Sequence, residues 1–288
     1  MNFIKTSITI IVIILLSAFS KTTVEPEFIS IEDLATTSQL SVTVTGKGGY
    51  KGNCVNFEIK NLTANSLRIW IEPGRRLVSI DSNLQDIFIV KKQLILLASN
   101  ETKNLSGFGF CCQSSNSSPS KGSEFTLGYM APKEWVELAE FIDVNDFPNS
   151  AVQSAVWSLS NNHQTASITG NTPESVRLLR EAVAKIKNEP IPWYYLTYEQ
   201  DTSQVFSNKP QHLSGTFNYE LTSNTVVTIH ITNENGKLKK VLTTEMPKQK
   251  GKYELMLNQT VKGWNKGKYF VRIYEGNHTL NTKMEFEL

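Results

Sequence analysis

Charge imbalance is the first thing this 288-residue sequence lacks. Its 29 Lys and Arg stand against 27 Asp and Glu, a formal net charge of +2. That is too little to imply a nucleic acid or an acidic polymer as partner. Histidine is scarce, and His212, His230 and His278 are isolated, with no metal-ligand spacing around them. No phosphate-binding glycine loop, paired carboxylates or convincing catalytic triad is present. The expectation is a protein that binds or displays, is not an enzyme and needs no cofactor.

Long apolar runs are also missing, apart from one at the N-terminus. Lys5 precedes the run from Ile8 to Leu16, interrupted only by Thr9, and Ala18 and Ser20 are small. The run is shorter than the roughly 20 residues of a comfortable membrane span. The pattern predicts a signal peptide over residues 1–20, cut after Ser20. No cysteine follows the run, which excludes a lipoprotein anchor, and no second stretch could span a bilayer. The protein is expected to be secreted or on the cell surface, with no membrane span after cleavage.

Cysteine is nearly absent too, but the three present are informative. In an oxidising compartment thiols tend to pair, and Cys54, Cys111 and Cys112 form an odd set. Either Cys111 or Cys112 could bridge to Cys54 in a disulfide, leaving its neighbour over. The bland alternatives are one disulfide with one buried thiol, or a vicinal disulfide.

The length suggests about two domains. Residues 21–39 are polar without periodicity and read as an irregular lead-in. From Leu40, apolar residues alternate through Val42 and Val44, then Val55, Phe57 and Ile59, then Leu67, Ile69 and Ile71, with runs at Ile87–Val90 and Leu94–Leu97. Short strands with turn signals suggest a β-sandwich. After Pro132 the period lengthens. Trp135, Leu138, Ala139 and Ile142 fit one helix, and Val152, Ala155, Val156 and Leu159 a second, capped by Asn149. A third starts at Thr172-Pro173-Glu174 and is striped by Val176, Leu179, Val183 and Ile186. Residues 190–210, aromatic then polar, read as a strand or clamp leading into a linker. From 211 the chain alternates to its last residue, with Asn235-Gly236 as a hairpin turn. The fold class expected is mainly β with a helical segment: an N-terminal β-sandwich plus helices over 40–189, then a small Ig-like β-sandwich over 211–288.

Two stretches within the first domain suggest chemistry. GFGFCCQSSNSSP carries Cys111 and Cys112, and AVQSAVWSLSNN carries Gln153. A thiol beside a carboxamide can displace ammonia and leave an internal thioester. Proximity alone can drive this without a metal, and Phe108, Phe110 and Trp157 could keep the site dry. Neighbouring side chains on a strand point to opposite faces, so one cysteine could reach Cys54 and the other Gln153. Cys111 is the expected thioester residue, with Cys112 the alternative. The bland reading of Gln153 is a buried amide bonded to backbone. An enzyme reading would need Cys111 or Cys112 beside His163 and Asn161.

Phe110-Cys111, together with Val152-Gln153-Ser154-Ala155-Val156-Trp157, resembles the paired motifs of bacterial surface-adhesin thioester domains over about residues 40–165. That resemblance implies adhesion to a protein or glycan surface ligand, covalently through a target lysine. The stretch FNYELTSNTVVTIHITNENGKLKKV, followed by KGKYFVRIYEG, resembles the Ig-like modules of flagellar hook-assembly proteins. It also resembles the C-terminal sorting domains of type IX secretion in Bacteroidota. The alternative reading is a structural two-domain secreted protein, whose C-terminal module serves secretion or attachment with no covalent chemistry.

Overall fold

A computed structural model describes residues 27–200, 205–276 and 279–288, so the expected signal peptide and His278 lie outside the described residues. The chain opens with β1 (Ile29–Ser30), which runs straight into α1 (Ile31–Thr36). The Ser30 hydroxyl caps this helix by accepting from the Glu32 amide at 3.1 Å, while Glu32 and Asp33 place negative charge in its first turn. Ile31 and Leu34 are buried. Part of the expected irregular lead-in is therefore structured, on a helix too short for a periodic pattern to register.

Next come β2 (Leu40–Lys47), β3 (Lys51–Asn61), β4 (Leu67–Ile71), β5 (Arg75–Ser79), β6 (Ile87–Ile89), β7 (Gln93–Leu97), β8 (Thr102–Cys111) and β9 (Lys121–Met130). The expected N-terminal sandwich is instead a closed barrel in the order β2-β3-β8-β6-β5-β9, flanked by a small sheet β1-β4-β7. Closure comes from β2, whose Val44 pairs with Phe57 on β3 and with Phe125 on β9. Pairing both edges of every strand removes the open edges a sandwich would leave. The buried Arg75 ties α1 to the barrel through ion pairs with Glu32 and with Glu72, the latter at 2.8 Å.

The helices α2 (Lys133–Asp143), α3 (Asn149–Ser160) and α4 (Glu174–Lys187) pack as a layer outside the barrel. The apolar positions expected to be inward are inward: Leu138, Ala139 and Ile142, then Val152, Ala155 and Val156, then Val176, Leu179 and Val183 are all buried. The N-cap position of α3 is Pro148 rather than Asn149, and that of α4 is Pro173. Asn188 ends α4 in the left-handed conformation, at φ 53°.

The remaining strands are β10 (Tyr194–Tyr198), β11 (Pro210–Leu221), β12 (Thr225–Asn233), β13 (Leu238–Lys248), β14 (Gly251–Thr260), β15 (Lys268–Glu275) and β16 (Thr279–Glu287). They form two sheets, β10-β11-β14 and β13-β12-β15-β16, around one core that includes Phe217, Leu221, Ile231, Val271 and Phe286. The hairpin at Asn235-Gly236 forms, with Gly236 at φ 77°. Of the strand or clamp expected at the start of residues 190–210, the structure has a strand, β10, and it joins the C-terminal sheet. The described residues are mostly β with few helices. No helix among the described residues is long and apolar enough to cross a membrane.

The barrel is tight where β8 crosses it. A Cβ added at Gly107 would lie 2.5 Å from Phe57 Cε2 and 2.7 Å from Val55 Cγ2. Gly107→Ala is therefore expected to destabilise the protein by about 1–3 kcal/mol through overpacking, seen as a lower urea midpoint. An unchanged midpoint would mean this wall has room to move.

Candidate functional site

Alternation along β8 sorts the residues singled out by the sequence. Cys111, at the strand's end, points into the barrel core, where Cys54 also lies. Phe110 and Cys112 point the other way, into the core under the helices, with Phe108 at its margin. Phe108 and Phe110 meet edge to face at 5.5 Å. Helix α3 crosses the end of β8 and brings Gln153 onto it, although the two segments are 42 residues apart.

The contact is through the main chain of Cys111. Gln153 Nε2 donates to the Cys111 carbonyl at 2.8 Å, and Gln153 Oε1 accepts from the Cys111 amide at 3.3 Å. That amide also donates to the Tyr50 carbonyl at 2.9 Å. The carboxamide thus clips helix to strand, while the Cys111 side chain belongs to the barrel side. Both residues are buried.

The expected disulfide is absent: Cys54, Cys111 and Cys112 are all free and buried. Each outer thiol instead donates to a carbonyl, Cys54 to Gly109 at 3.3 Å and Cys112 to Asp86 at 3.3 Å. Cys112 faces away from the barrel, so alternation separates it from Cys54. Burial pushes the Cys54 thiol up to about 11 and the Cys112 thiol to about 12, and it raises Cys111 further still. All three are held as neutral thiols.

Trp157, expected to shield the thioester, is buried in an aromatic cluster that begins at Tyr50. It stacks on Tyr50 at 6.2 Å and meets Phe206 at 5.6 Å and His163 at 5.9 Å. His163 stacks on Phe206 at 4.0 Å, and Phe206 touches Tyr198. His163 Nε2 lies 3.0 Å from the Ser114 hydroxyl, and Asn161 Oδ1 accepts from the Ser114 amide at 3.0 Å. His163 and Asn161 therefore pin the loop after Cys112. A cleft of about 550 Å³ opens beside them, lined by Asn161, His163, Tyr198, Phe206, Lys266 and Leu288.

Ser114 was not singled out in the sequence, since nothing local marks a lone serine in a serine-rich loop. Arg180 was also missed. Its place on the inward side of α4 was the available signal, because a buried arginine needs partners.

Residues 210–286 match the family model described as the secretion system C-terminal sorting domain. The match begins at the first residue of β11 and ends inside β16, so it covers the C-terminal sandwich apart from β10. The chain therefore carries a type IX secretion sorting domain, which indicates export to the cell surface or the medium. No curated protein matches the chain.

His163 supplies a pH test of the junction between the domains. Burial, aided by the nearby Lys187 cation, lowers its pKa to about 4 from 6.5. The folded state thus favours neutral imidazole, and its contribution to stability is fully present above pH 6.5. It is lost as the pH falls from 6.5 towards 4, where the unfolded chain takes up the proton first. Thermal unfolding should fall across that window, and His163→Gln should flatten part of the slope. An identical slope in the variant would show that carboxylates alone set it.

Proposed function

We propose that the protein is an exported cell-surface or secreted binding protein, in which the C-terminal sandwich directs type IX export and the barrel with its helices is the displayed cargo. The observation that carries this reading is the sorting-domain match over residues 210–286, which covers six of the seven strands of one two-sheet unit at the chain's end. The leader-like sequence at residues 1–20 agrees with it.

Binding rather than turnover is supported by the chemistry of the cargo. Its thiols are buried and neutral, and its one closely hydrogen-bonded histidine fastens a loop. The small sheet beside the barrel turns a mixed face outward, with Arg68 opposite Leu96 and Trp70 opposite Leu94. Ile69, Ile71, Ile95 and Leu97 are buried on one side, while Trp70 pairs across to Leu94 on the other, next to Leu96, both leucines more than half exposed. Exposed leucines beside a tryptophan and an arginine suit a protein or glycan ligand.

Deleting residues 211–288 in the source cell should leave the cargo inside the envelope and remove it from the surface and the medium. Unchanged localisation would overturn the export reading.

A second, covalent form of the reading is favoured by one observation, the seating of the Gln153 carboxamide on Cys111. In it the Cys111 thiol attacks the Gln153 amide carbon, ammonia leaves, and a lysine amine of the ligand later displaces the thiol to form an amide. Because both residues are buried and the Cys111 side chain lies on the barrel side, the α3–β8 contact must open and the thiol must turn towards the carboxamide for the thioester to form. Intact mass of the mature protein tests it. A thioester lowers the mass by about 17 Da, and methylamine then adds about 31 Da and frees one thiol, ending about 14 Da above the unmodified chain. Cys111→Ala and Gln153→Ala should each abolish the deficit. A mature protein without that deficit carries no thioester, and Gln153 is then a structural clip alone.

A further inference from the structure

The sorting-domain match starts at residue 210, yet the sandwich it describes is completed by a strand that precedes it. Strand β10 pairs antiparallel with β11 from Tyr194 opposite Gly215 to Leu196 opposite Leu213, and a bulge follows at Thr197 and Tyr198. Its side chains alternate between two cores. Tyr194 and Leu196 are buried in the sandwich, and Tyr195 packs against the helical layer. One strand therefore belongs to both halves of the molecule.

Three features fit β10 to this place. A Cβ on Gly215 would sit 2.8 Å from the Trp193 carbonyl oxygen and 2.9 Å from Tyr194 Cα, so the module's own sequence leaves the room β10 needs. Trp193 and Tyr194 reach past β11 to the far sheet. Trp193 Nε1 donates to the Glu285 carbonyl at 2.6 Å, and the Glu287 amide donates to the Tyr194 hydroxyl at 3.0 Å. On the cargo side, Arg180 of α4 is 2% exposed and donates to the carbonyls of Pro192 and Tyr194, both at 2.7 Å, with its guanidinium 3.8 Å over the Tyr195 ring.

We infer that the β11 edge of the C-terminal module is a strand-acceptor site for an extended segment of alternating aromatic and aliphatic residues, filled here by the cargo's own β10. Cargo and module are then held by strand addition as well as by the peptide chain. The physical unit that accompanies the sorting sequence begins near Pro190. This concerns the joint between the halves and does not depend on what the cargo binds.

The test cuts the covalent link and asks whether the joint holds. Residues 201–204 of the full chain are replaced by a site for a sequence-specific protease, and the folded protein is nicked there. The two fragments are expected to co-elute on size exclusion at micromolar concentration. Leu196→Asp, which puts a charge into the sandwich core, and Gly215→Val, which fills the space β10 needs, should each weaken the fragments' association at least about 30-fold, as for loss of a hot-spot side chain. Circular dichroism before nicking shows whether each variant is folded, and Arg180→Met replaces any variant that is not. Hydrogen exchange across residues 210–216 should rise in the folded variants. Separation of the wild-type fragments on nicking would overturn the inference. So would tight association that persists in folded Leu196→Asp and Gly215→Val, because the joint would then lie elsewhere.

Discussion

The alternation of side chains across a strand is the constraint on which the molecule depends. Two strands each serve two cores. Strand β8 sends Cys111 into the barrel and Phe110 under the helices. Strand β10 sends Tyr194 and Leu196 into the C-terminal sandwich and Tyr195 towards the helices. Barrel, helical layer and sandwich are therefore joined through shared strands. A slip of one residue in either strand would put an apolar set on the wrong side and disrupt two cores together.

Buried charge is handled in two ways. Arg75 lies between the carboxylates of Glu72 and Glu32, which offset its desolvation and raise its pKa. Arg180 is equally buried but relies on carbonyl oxygens and the face of Tyr195, and burial lowers its pKa. Removing a guanidinium from water costs several kcal/mol per ion, so those carbonyls must be in place for the side chain to be tolerated. That makes Arg180 a sensor of whether β10 is seated. The clip from Gln153 to Cys111 works on the same logic without charge, satisfying a strand carbonyl with a helix side chain where water is excluded.

These contacts bear on export. The sorting module is a compact sandwich at the chain's end, and the cargo reaches it through a strand and an aromatic cluster of Trp157, His163, Phe206 and Tyr198. The tether between β10 and β11 is thus supplemented by packed surface on both sides. The three thiols contribute packing volume, and those of Cys54 and Cys112 are weak donors to carbonyls.

Much of this was legible in the sequence because it is local. Period-two runs such as Val55, Phe57 and Ile59, the longer period through Leu138, Ala139 and Ile142, and the Asn235-Gly236 turn all mark their elements directly. So does the strand, turn and glycine pattern of the C-terminal module, which identified its kind. Closure of the barrel was not legible, because Val44 meeting both Phe57 and Phe125 is a matter of register between distant segments. The cysteine count suggested a bridge, but strand face turns Cys112 away from Cys54, and Cys111, which shares the barrel core with Cys54, is free there as well. The approach of Gln153 to Cys111 was anticipated from motifs, while its landing on the peptide group was decided by how α3 crosses β8. Sequence alone determined most of the strands and the three longer helices, with the residues that face inward on them, since these follow from spacing along the chain; the short β1 and α1, and strands β5 and β9, were not among them. Only the tertiary structure decided which cores those residues share, because that rests on contacts between residues far apart in sequence.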